Sequence, residues 1–170
     1  MIRAVFFDLD GVLIDAKEWH FDALNVALAE VNPRLTITDK QHEKIFDGLP
    51  TKTKLELLST FHKYLLNPDV QQKIMNRKQE LFLRILDKNL KKNQNIIDTI
   101  DWLKSRGLKV AVCTNSVNET AKQALKRLEI YDKMDLVISN EMVKLPKPYP
   151  EMYEKALEHF KIVPEEAFVS

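Results

Sequence analysis

Two carboxylates separated by one residue mark the first point in the chain where chemistry can be expected. Asp8 and Asp10 lie in the segment Asp8-Leu9-Asp10-Gly11-Val12-Leu13, directly after the apolar run 2–7. Side chains at i and i+2 of an extended chain point to the same side. Holding two acids so close together is costly unless a cation or a shared proton relieves them. The pair predicts a cation-assisted acid site. The structural alternative is a strand-end turn in which Asp10 and Gly11 only supply a bend.

A second polar group follows another apolar run, at residues 108–113. Thr114, Asn115 and Ser116 offer hydroxyl and amide donors, and a helix that begins just after them would open its free N–H groups towards an anion. Ser116 with Glu119 fits a capping box, so the alternative is that these residues only cap that helix. A Cys113 nucleophile would need an arginine at the position of Glu119, and we therefore predict that Cys113 is a buried apolar side chain.

A third signal is Lys147, in the segment Lys147-Pro148-Tyr149-Pro150. The prolines stiffen the backbone ahead of a helix and fix where the lysine points. A fixed ammonium near an acid pair suits a phosphate-binding crevice. Lys144 has no such rigid frame, and we interpret it as a surface residue. The four histidines show no metal-ligand spacing, and we interpret them as ordinary surface or half-buried side chains: His20, His42, His62 and His159.

The elements that must position these groups follow from the hydrophobic pattern. Short continuous apolar runs at 2–7, 108–113, 136–139 and 167–170 are typical of strands buried on both faces of a parallel sheet. Apolar stripes with helical spacing lie between the later runs, and Gly107 is positioned to end the first of these helices. Strand and helix in alternation predict an α/β fold with an open parallel sheet.

Residues 15–95 interrupt this alternation because they contain no convincing strand. Helical stripes recur there, one of them formed by Leu55, Leu58, Phe61 and Leu65, and Thr38 with Gln41 predicts a capping box. We predict two domains: an α/β core of residues 1–14 plus 96–170, and an inserted helical cap of residues 15–95. The lysine-rich stretch 88–93 is interpreted as a solvated linker.

Composition narrows the function classes. The chain has 170 residues, is 45% hydrophobic and 30% charged, and carries a net charge of +1, which gives no electrostatic case for binding nucleic acid or an anionic membrane. No apolar run approaches the roughly 18 residues that span a bilayer. The one cysteine cannot form an internal disulfide, so we expect a reducing cytoplasm. Three glycines exclude both the dinucleotide and the P-loop glycine patterns.

The order of these segments resembles the haloacid dehalogenase superfamily. The pattern is Asp-x-Asp-Gly-Val-Leu after the first strand, a helical insertion, Thr-Asn-Ser after the second, and then Lys-Pro-x-Pro-x-x-Tyr. More narrowly, it is similar to the phosphatase and sugar-phosphomutase branch, whose Rossmann-like core carries a helical cap. The resemblance implies a phosphatase that acts on a small phosphorylated metabolite, such as a sugar phosphate, through an aspartyl-phosphate intermediate.

The same resemblance implies a role for each residue of the three motifs. Asp8 would be the nucleophile and Asp10 the general acid and base, while Thr114, Asn115 and Lys147 would bind the substrate phosphate. The resemblance also implies Mg²⁺, held by the Asp8 carboxylate and the Asp10 main-chain carbonyl. A helical lid would exclude bulk water and select the leaving group.

Three alternatives stay open at the sequence level. A phosphomutase of this branch carries an arginine where Thr51 aligns, after Gly48, so hydrolysis is favoured. A receiver-type phospho-accepting module has no helical insertion of this size after its first strand. The family's fourth motif places an acid directly after the strand that here ends at Ser170, and Glu165 and Glu166 precede that strand. We therefore expect the 170-residue chain to bind Mg²⁺ weakly, and a degenerate, non-catalytic binding protein is the third alternative.

Overall fold

The computed structural model describes residues 1–62 and 66–170, which form two compact units. One unit consists of Met1–Asp15 and Asn89–Ser170, and the other is Ala16–Lys88. The second boundary lies earlier than the predicted one at residue 95. The stretch interpreted as a linker includes Leu90, which is buried and so belongs with the α/β unit.

A parallel sheet forms the centre of the α/β unit. Its strands lie in the order β3-β2-β1-β4. They are β1 (Ala4–Phe7), β2 (Lys109–Cys113), β3 (Leu136–Ile138) and β4 (Ala167–Val169). Each predicted apolar run contains one of these strands, so the predicted open parallel α/β sheet is confirmed.

Strand register brings the polar segments to one edge of the sheet. Phe7 pairs with Val112 between β1 and β2, and Cys113 pairs with Ile138 between β2 and β3. Asp8 and Thr114 are the residues that follow β1 and β2, so both lie at the carboxyl edge of neighbouring strands. Parallel strands end together, and residues far apart in sequence therefore meet there.

Helices cover the sheet and pack apolar side chains against it. They are α5 (Gln94–Ser105), α6 (Asn118–Arg127) and α7 (Glu151–Phe160). Met152 and Ala156 of α7 are fully buried against Phe6 and Ala111 of the strands. Gly107 has a φ of +77°, a left-handed conformation that suits glycine and ends α5 as predicted.

All regular secondary structure that is described between residues 16 and 88 is helical. Its helices are α1 (Lys17–Val31), α2 (Asp39–Gln41), a π-helical turn at His42–Phe46, α3 (Thr51–Phe61) and α4 (Pro68–Asn89). The predicted capping box of Thr38 and Gln41 is confirmed. Among residues 16–62 and 66–88 no strand occurs.

A core of leucine, isoleucine and phenylalanine side chains holds this helical unit together. Leu55 and Leu58 lie in it, whereas Phe61, placed on the same predicted stripe, is 82% exposed. Leu65 of that stripe lies outside the described residues. Across the part of the chain that the structure describes, no helix combines the length and apolar composition needed to cross a membrane.

Candidate active site

An ion pair between Asp8 and Lys147 lies at the carboxyl edge of the sheet. The Lys147 Nζ is 2.7 Å from the Asp8 Oδ2, and the lysine side chain is only 16% exposed. The other carboxylate oxygen of Asp8 accepts a hydrogen bond of 2.7 Å from the Leu9 N–H. Two donors from different parts of the chain therefore fix the orientation of the Asp8 carboxylate.

The segment after Asp8 folds into a tight loop, as the turn alternative requires. The N–H groups of Leu13 and Ile14 both donate to the Leu9 carbonyl, and the Gly11 N–H donates to the Ile14 carbonyl. Gly11 has a φ of +83°, which favours glycine at this position. The turn and the acid pair are thus compatible, because the turn carries Asp10 and begins directly after Asp8.

Ser116 connects the second polar segment to Asp10. Its hydroxyl donates a hydrogen bond of 2.9 Å to the Asp10 Oδ2, across 106 residues of sequence. The predicted capping box of Ser116 and Glu119 is wrong, because α6 begins after Val117 and its cap makes no side-chain hydrogen bond. Instead the Asn118 N–H donates to the Glu141 carboxylate. The Ser116 hydroxyl is engaged by the acid loop, which the local sequence could not reveal.

Thr114 is fully buried at the end of β2. Its hydroxyl accepts a hydrogen bond of 3.0 Å from the Ser116 N–H, and its own N–H donates to the Ile138 carbonyl. These two bonds fix the turn that carries residues 114–116. The Thr114 hydroxyl keeps its own proton available for a further acceptor.

The Asn115 side chain pairs with the backbone of Lys147. Its Oδ1 accepts from the Lys147 N–H at 2.9 Å, and its Nδ2 donates to the Lys147 carbonyl at 3.0 Å. The predicted phosphate-binding residues Thr114, Asn115 and Lys147 therefore belong to one connected group. Within it, the Asn115 carboxamide faces the Lys147 peptide.

Sequence reasoning missed two acids that accept hydrogen bonds from backbone N–H groups, Glu151 from the loop before Lys147 and Glu141 from the start of α6. The Glu151 carboxylate accepts hydrogen bonds from the N–H groups of Lys144 and Leu145, which lower the pKa of Glu151. Glu141 accepts from Asn118 at the start of α6. A glutamate in the first turn of α7 is a recognisable helix-start signal, but its acceptance of bonds from a preceding loop is not.

Two neighbouring side chains have pKa values raised by their surroundings. Burial raises the pKa of the Cys113 thiol to about 12, so this cysteine stays protonated, and its predicted role as a buried apolar residue is confirmed. Burial and the nearby charge of Asp8 raise the pKa of Tyr153, which keeps its hydroxyl neutral. Both effects indicate that the site is partly desolvated and that the Asp8 charge raises the pKa values of nearby groups.

The histidines lie outside this group. The interpretation of His42 as a surface or half-buried side chain is wrong, since it is only 3% exposed and its ring lies 5.0 Å from that of Phe21, which packs against the core of the helical unit. His20 stacks on Phe82 and its Nδ1 lies 2.9 Å from the Lys78 Nζ, also within the helical unit.

The donors at the strand ends are hard oxygens of the kind that Mg²⁺ binds. No cluster of three or more His, Cys, Asp or Glu side chains suited to a metal occurs in residues 1–62 and 66–170. Mg²⁺ commonly uses one or two carboxylates and completes its shell with water and substrate phosphate. The Asp8 carboxylate and the Asp10 main-chain carbonyl are ligands of the kind that this coordination requires.

A model of the haloacid dehalogenase-like hydrolase family matches residues 5–169, which include all but the first residue of β1, the acid loop, both polar loops and β4. The chain belongs to this family. Over 169 residues it is 31% identical to a phosphorylated carbohydrates phosphatase of Thermotoga maritima, with 99% of this chain and 75% of that relative covered. It is also 29% identical to a phosphoglycolate phosphatase of Aquifex aeolicus over 99% of this chain and 75% of that protein.

Solved structures agree with the fold of this family member. A β-phosphoglucomutase of Clostridium difficile superposes with a TM-score of 0.84 at 24% identity, over 99% of this chain and 75% of that one. A putative β-phosphoglucomutase of Thermotoga maritima gives a TM-score of 0.69 at 29% identity, over the same shares of the two chains.

Proposed function

We propose that this family member is a Mg²⁺-dependent phosphatase of small phosphorylated metabolites, with sugar phosphates as the first candidates. The observation that carries the proposal is the connected group at the strand ends: Asp8 faces the Lys147 ammonium, and Asp10 faces the Ser116 hydroxyl. The 31% identity to a phosphatase of phosphorylated carbohydrates supports the substrate class. The net charge of +1 gives no reason to expect a nucleic acid substrate.

In the first step, an oxygen of the Asp8 carboxylate attacks the phosphorus atom. A P–O bond to Asp8 forms while the P–O bond to the sugar oxygen breaks, and an aspartyl-phosphate results. Asp10, entering as the carboxylic acid, gives its proton to the departing oxygen. Lys147 and Thr114 neutralise and bind the phosphoryl oxygens, whose negative charge makes positioning and cations the main source of catalysis.

In the second step, water attacks the same phosphorus atom. Asp10, now a carboxylate, takes the proton from the water, and the P–O bond to Asp8 breaks. Inorganic phosphate leaves, and both acids return to their starting protonation states. The hydrogen bond from the Ser116 hydroxyl orients the Asp10 carboxylate, the group to which we assign both proton transfers.

The Asp8 carboxylate and the Asp10 main-chain carbonyl would hold Mg²⁺. When bound, the ion neutralises phosphate charge and lets the anionic nucleophile and the anionic substrate approach each other. Lys147 already supplies one positive charge to the Asp8 carboxylate, so the chain itself would contribute part of the neutralisation.

A phosphomutase would return the phosphoryl group to its product instead of to water. Thr51 stands where the mutases of this branch carry an arginine, and a threonine supplies no cation that could hold a second phosphate group. We therefore place hydrolysis ahead of mutase activity, and the test below measures both.

The test is a panel of sugar phosphates and short organic phosphates, incubated with the purified chain with and without Mg²⁺. We expect inorganic phosphate to appear, to depend on Mg²⁺ and to stop on chelation. Mutase activity would show as isomerised sugar phosphate without loss of phosphate, and would replace the hydrolase proposal. Absence of turnover across the whole panel would overturn both and leave a non-catalytic binding protein.

A further inference from the structure

The Asn115 side chain pairs with both backbone polar groups of Lys147, the N–H and the carbonyl. A carboxamide carries an acceptor and a donor side by side, and both are directed at one residue 32 positions away. Aspartate offers no donor and leucine neither group, so asparagine is the residue of this size that can make both bonds. The side chain therefore acts on the Lys147 backbone as a neighbouring strand would.

The sequence around Lys147 explains why an outside anchor is needed. Pro146 and Pro148 flank the lysine and stiffen the chain, but neither has an N–H to donate. The Lys147 N–H is thus the sole backbone donor of residues 146–148, and Asn115 accepts from it. Glu151 fixes the loop earlier, at Lys144 and Leu145, and does not reach Lys147.

The position of the lysine backbone determines where its charge lies. The ammonium reaches the Asp8 Oδ2 at 2.7 Å from the end of a flexible four-carbon chain. A loop that shifts by about an ångström would change that contact, and misplacement of this size costs catalysis heavily.

We propose that Asn115 is a positioning residue: its side chain acts on the reaction through Lys147, by holding the backbone from which the ammonium reaches Asp8. In this assignment the carboxamide is not itself a ligand of the substrate phosphate. The expected effect on kcat rests on the proposed function, whereas the role of Asn115 in holding the Lys147 backbone does not.

A double-mutant cycle separates action through Lys147 from direct phosphate binding. The variants are Asn115→Ala, Lys147→Met and the two combined, assayed with a phosphate ester that the wild type hydrolyses. We expect Asn115→Ala to lower kcat by about 10- to 100-fold in the wild type, since the ammonium loses its position. In the Lys147→Met background the same change should cost less than about threefold, because residues that act as a unit are non-additive. If the loss in the double variant equals the product of the two single losses, Asn115 makes an independent contact with the substrate, and the proposal is overturned.

A measurement without turnover tests the positioning directly. The side-chain ammonium of Lys147 and its backbone amide can be followed by nitrogen-15 NMR in the folded chain. In Asn115→Ala we expect the ammonium signal to move to that of an unpaired lysine and the amide to exchange faster with solvent. Asn95→Ala, at an exposed position, is the matched control and should change neither. Unchanged Lys147 signals in Asn115→Ala would refute the assignment.

Asn115→Asp is the second variant, nearly identical in shape, in case the alanine variant does not fold. It keeps the acceptor for the Lys147 N–H and sets a carboxylate oxygen against the Lys147 carbonyl in place of the Nδ2 donor. We expect the Lys147 signals to shift in this variant as well. If the wild type hydrolyses no ester, the proposed function fails while the NMR comparison still decides the role of Asn115.

Discussion

The two units of the molecule differ in the kind of long-range contact that holds each of them together. At the strand ends of the α/β unit, polar side chains are tied across large sequence separations, as Ser116 is to Asp10 and Asn115 to Lys147. The interior of the helical unit is mainly a cluster of apolar side chains, and its Arg77–Glu30 ion pair lies on the surface. This difference teaches that substitutions at the strand ends should affect catalysis first, whereas those in the helical core should affect stability first.

The largest expected effect is that of Asp8→Asn on catalysis. Asparagine is nearly isosteric with aspartate but a poor nucleophile, so phosphate release should fall by about a thousandfold or more while the thermal unfolding temperature hardly changes. Asp132→Asn, at an exposed position of the same unit, is the control and should keep full activity. Substantial Mg²⁺-dependent turnover by Asp8→Asn would remove Asp8 from the nucleophile role.

Lys147→Met sharpens the comparison within one loop. It removes the ammonium that lies 2.7 Å from Asp8, and we expect a loss in kcat of about 100- to 1000-fold, the range found when one preorganised electrostatic contact is removed. The matched control is Lys144→Met, because Lys144 is exposed and only its main chain takes part in the loop. Equal losses from the two variants would contradict a specific role for Lys147.

Leu55→Ala tests the other side of the comparison. Leu55 is fully buried in the helical core, and its truncation should lower the free energy of unfolding by about 2–5 kcal/mol. Leu57→Ala, two residues later on α3 and 37% exposed, should cost well under that amount. Urea unfolding followed by circular dichroism measures both. A smaller loss at Leu55 than at Leu57 would show that this cluster is not what stabilises the unit.

The smallest effect is a pH dependence that originates at His42. Burial lowers the pKa of His42 below its usual 6.5, and the charges of Lys54 and Lys17 act in the same direction against Asp47 and Glu18. Neither ring nitrogen has a hydrogen-bond partner among the described residues. The unfolded chain therefore takes up a proton near pH 6.5 that the folded chain resists, and stability should decline as the pH falls below that value.

His42→Leu should remove this decline, since leucine is similar in size and cannot titrate. Urea midpoints at pH 7.5 and at pH 5.5 should differ less in His42→Leu than in the wild type. His159→Leu, at an exposed position on α7, is the control and should retain the wild-type difference. A His42→Leu variant with an undiminished pH dependence would place its origin elsewhere.

The helix-end signals show where local sequence was sufficient and where it was not. Thr38 and Gln41 form the predicted capping box because both partners lie within one helical turn. Ser116 and Glu119 have the same spacing, yet the Ser116 hydroxyl bonds to Asp10 instead. A capping pattern is decided locally only when no distant acceptor competes for the hydroxyl, and the acid loop is such a competitor.

The sequence by itself determined the α/β sheet, the helical insertion and the three polar segments, because apolar periodicity and turn chemistry act over a few residues. It also placed Asp8 and Lys147 among the residues of interest, Asp8 by its spacing from Asp10 and Lys147 by the prolines beside it. Only the tertiary structure decided that Ser116 faces Asp10, that Asn115 holds the Lys147 backbone and that His42 is buried. These outcomes depend on which strands are neighbours and on how the helices pack. Such long-range contacts produce no periodic pattern of residue types that could be recognised in the sequence.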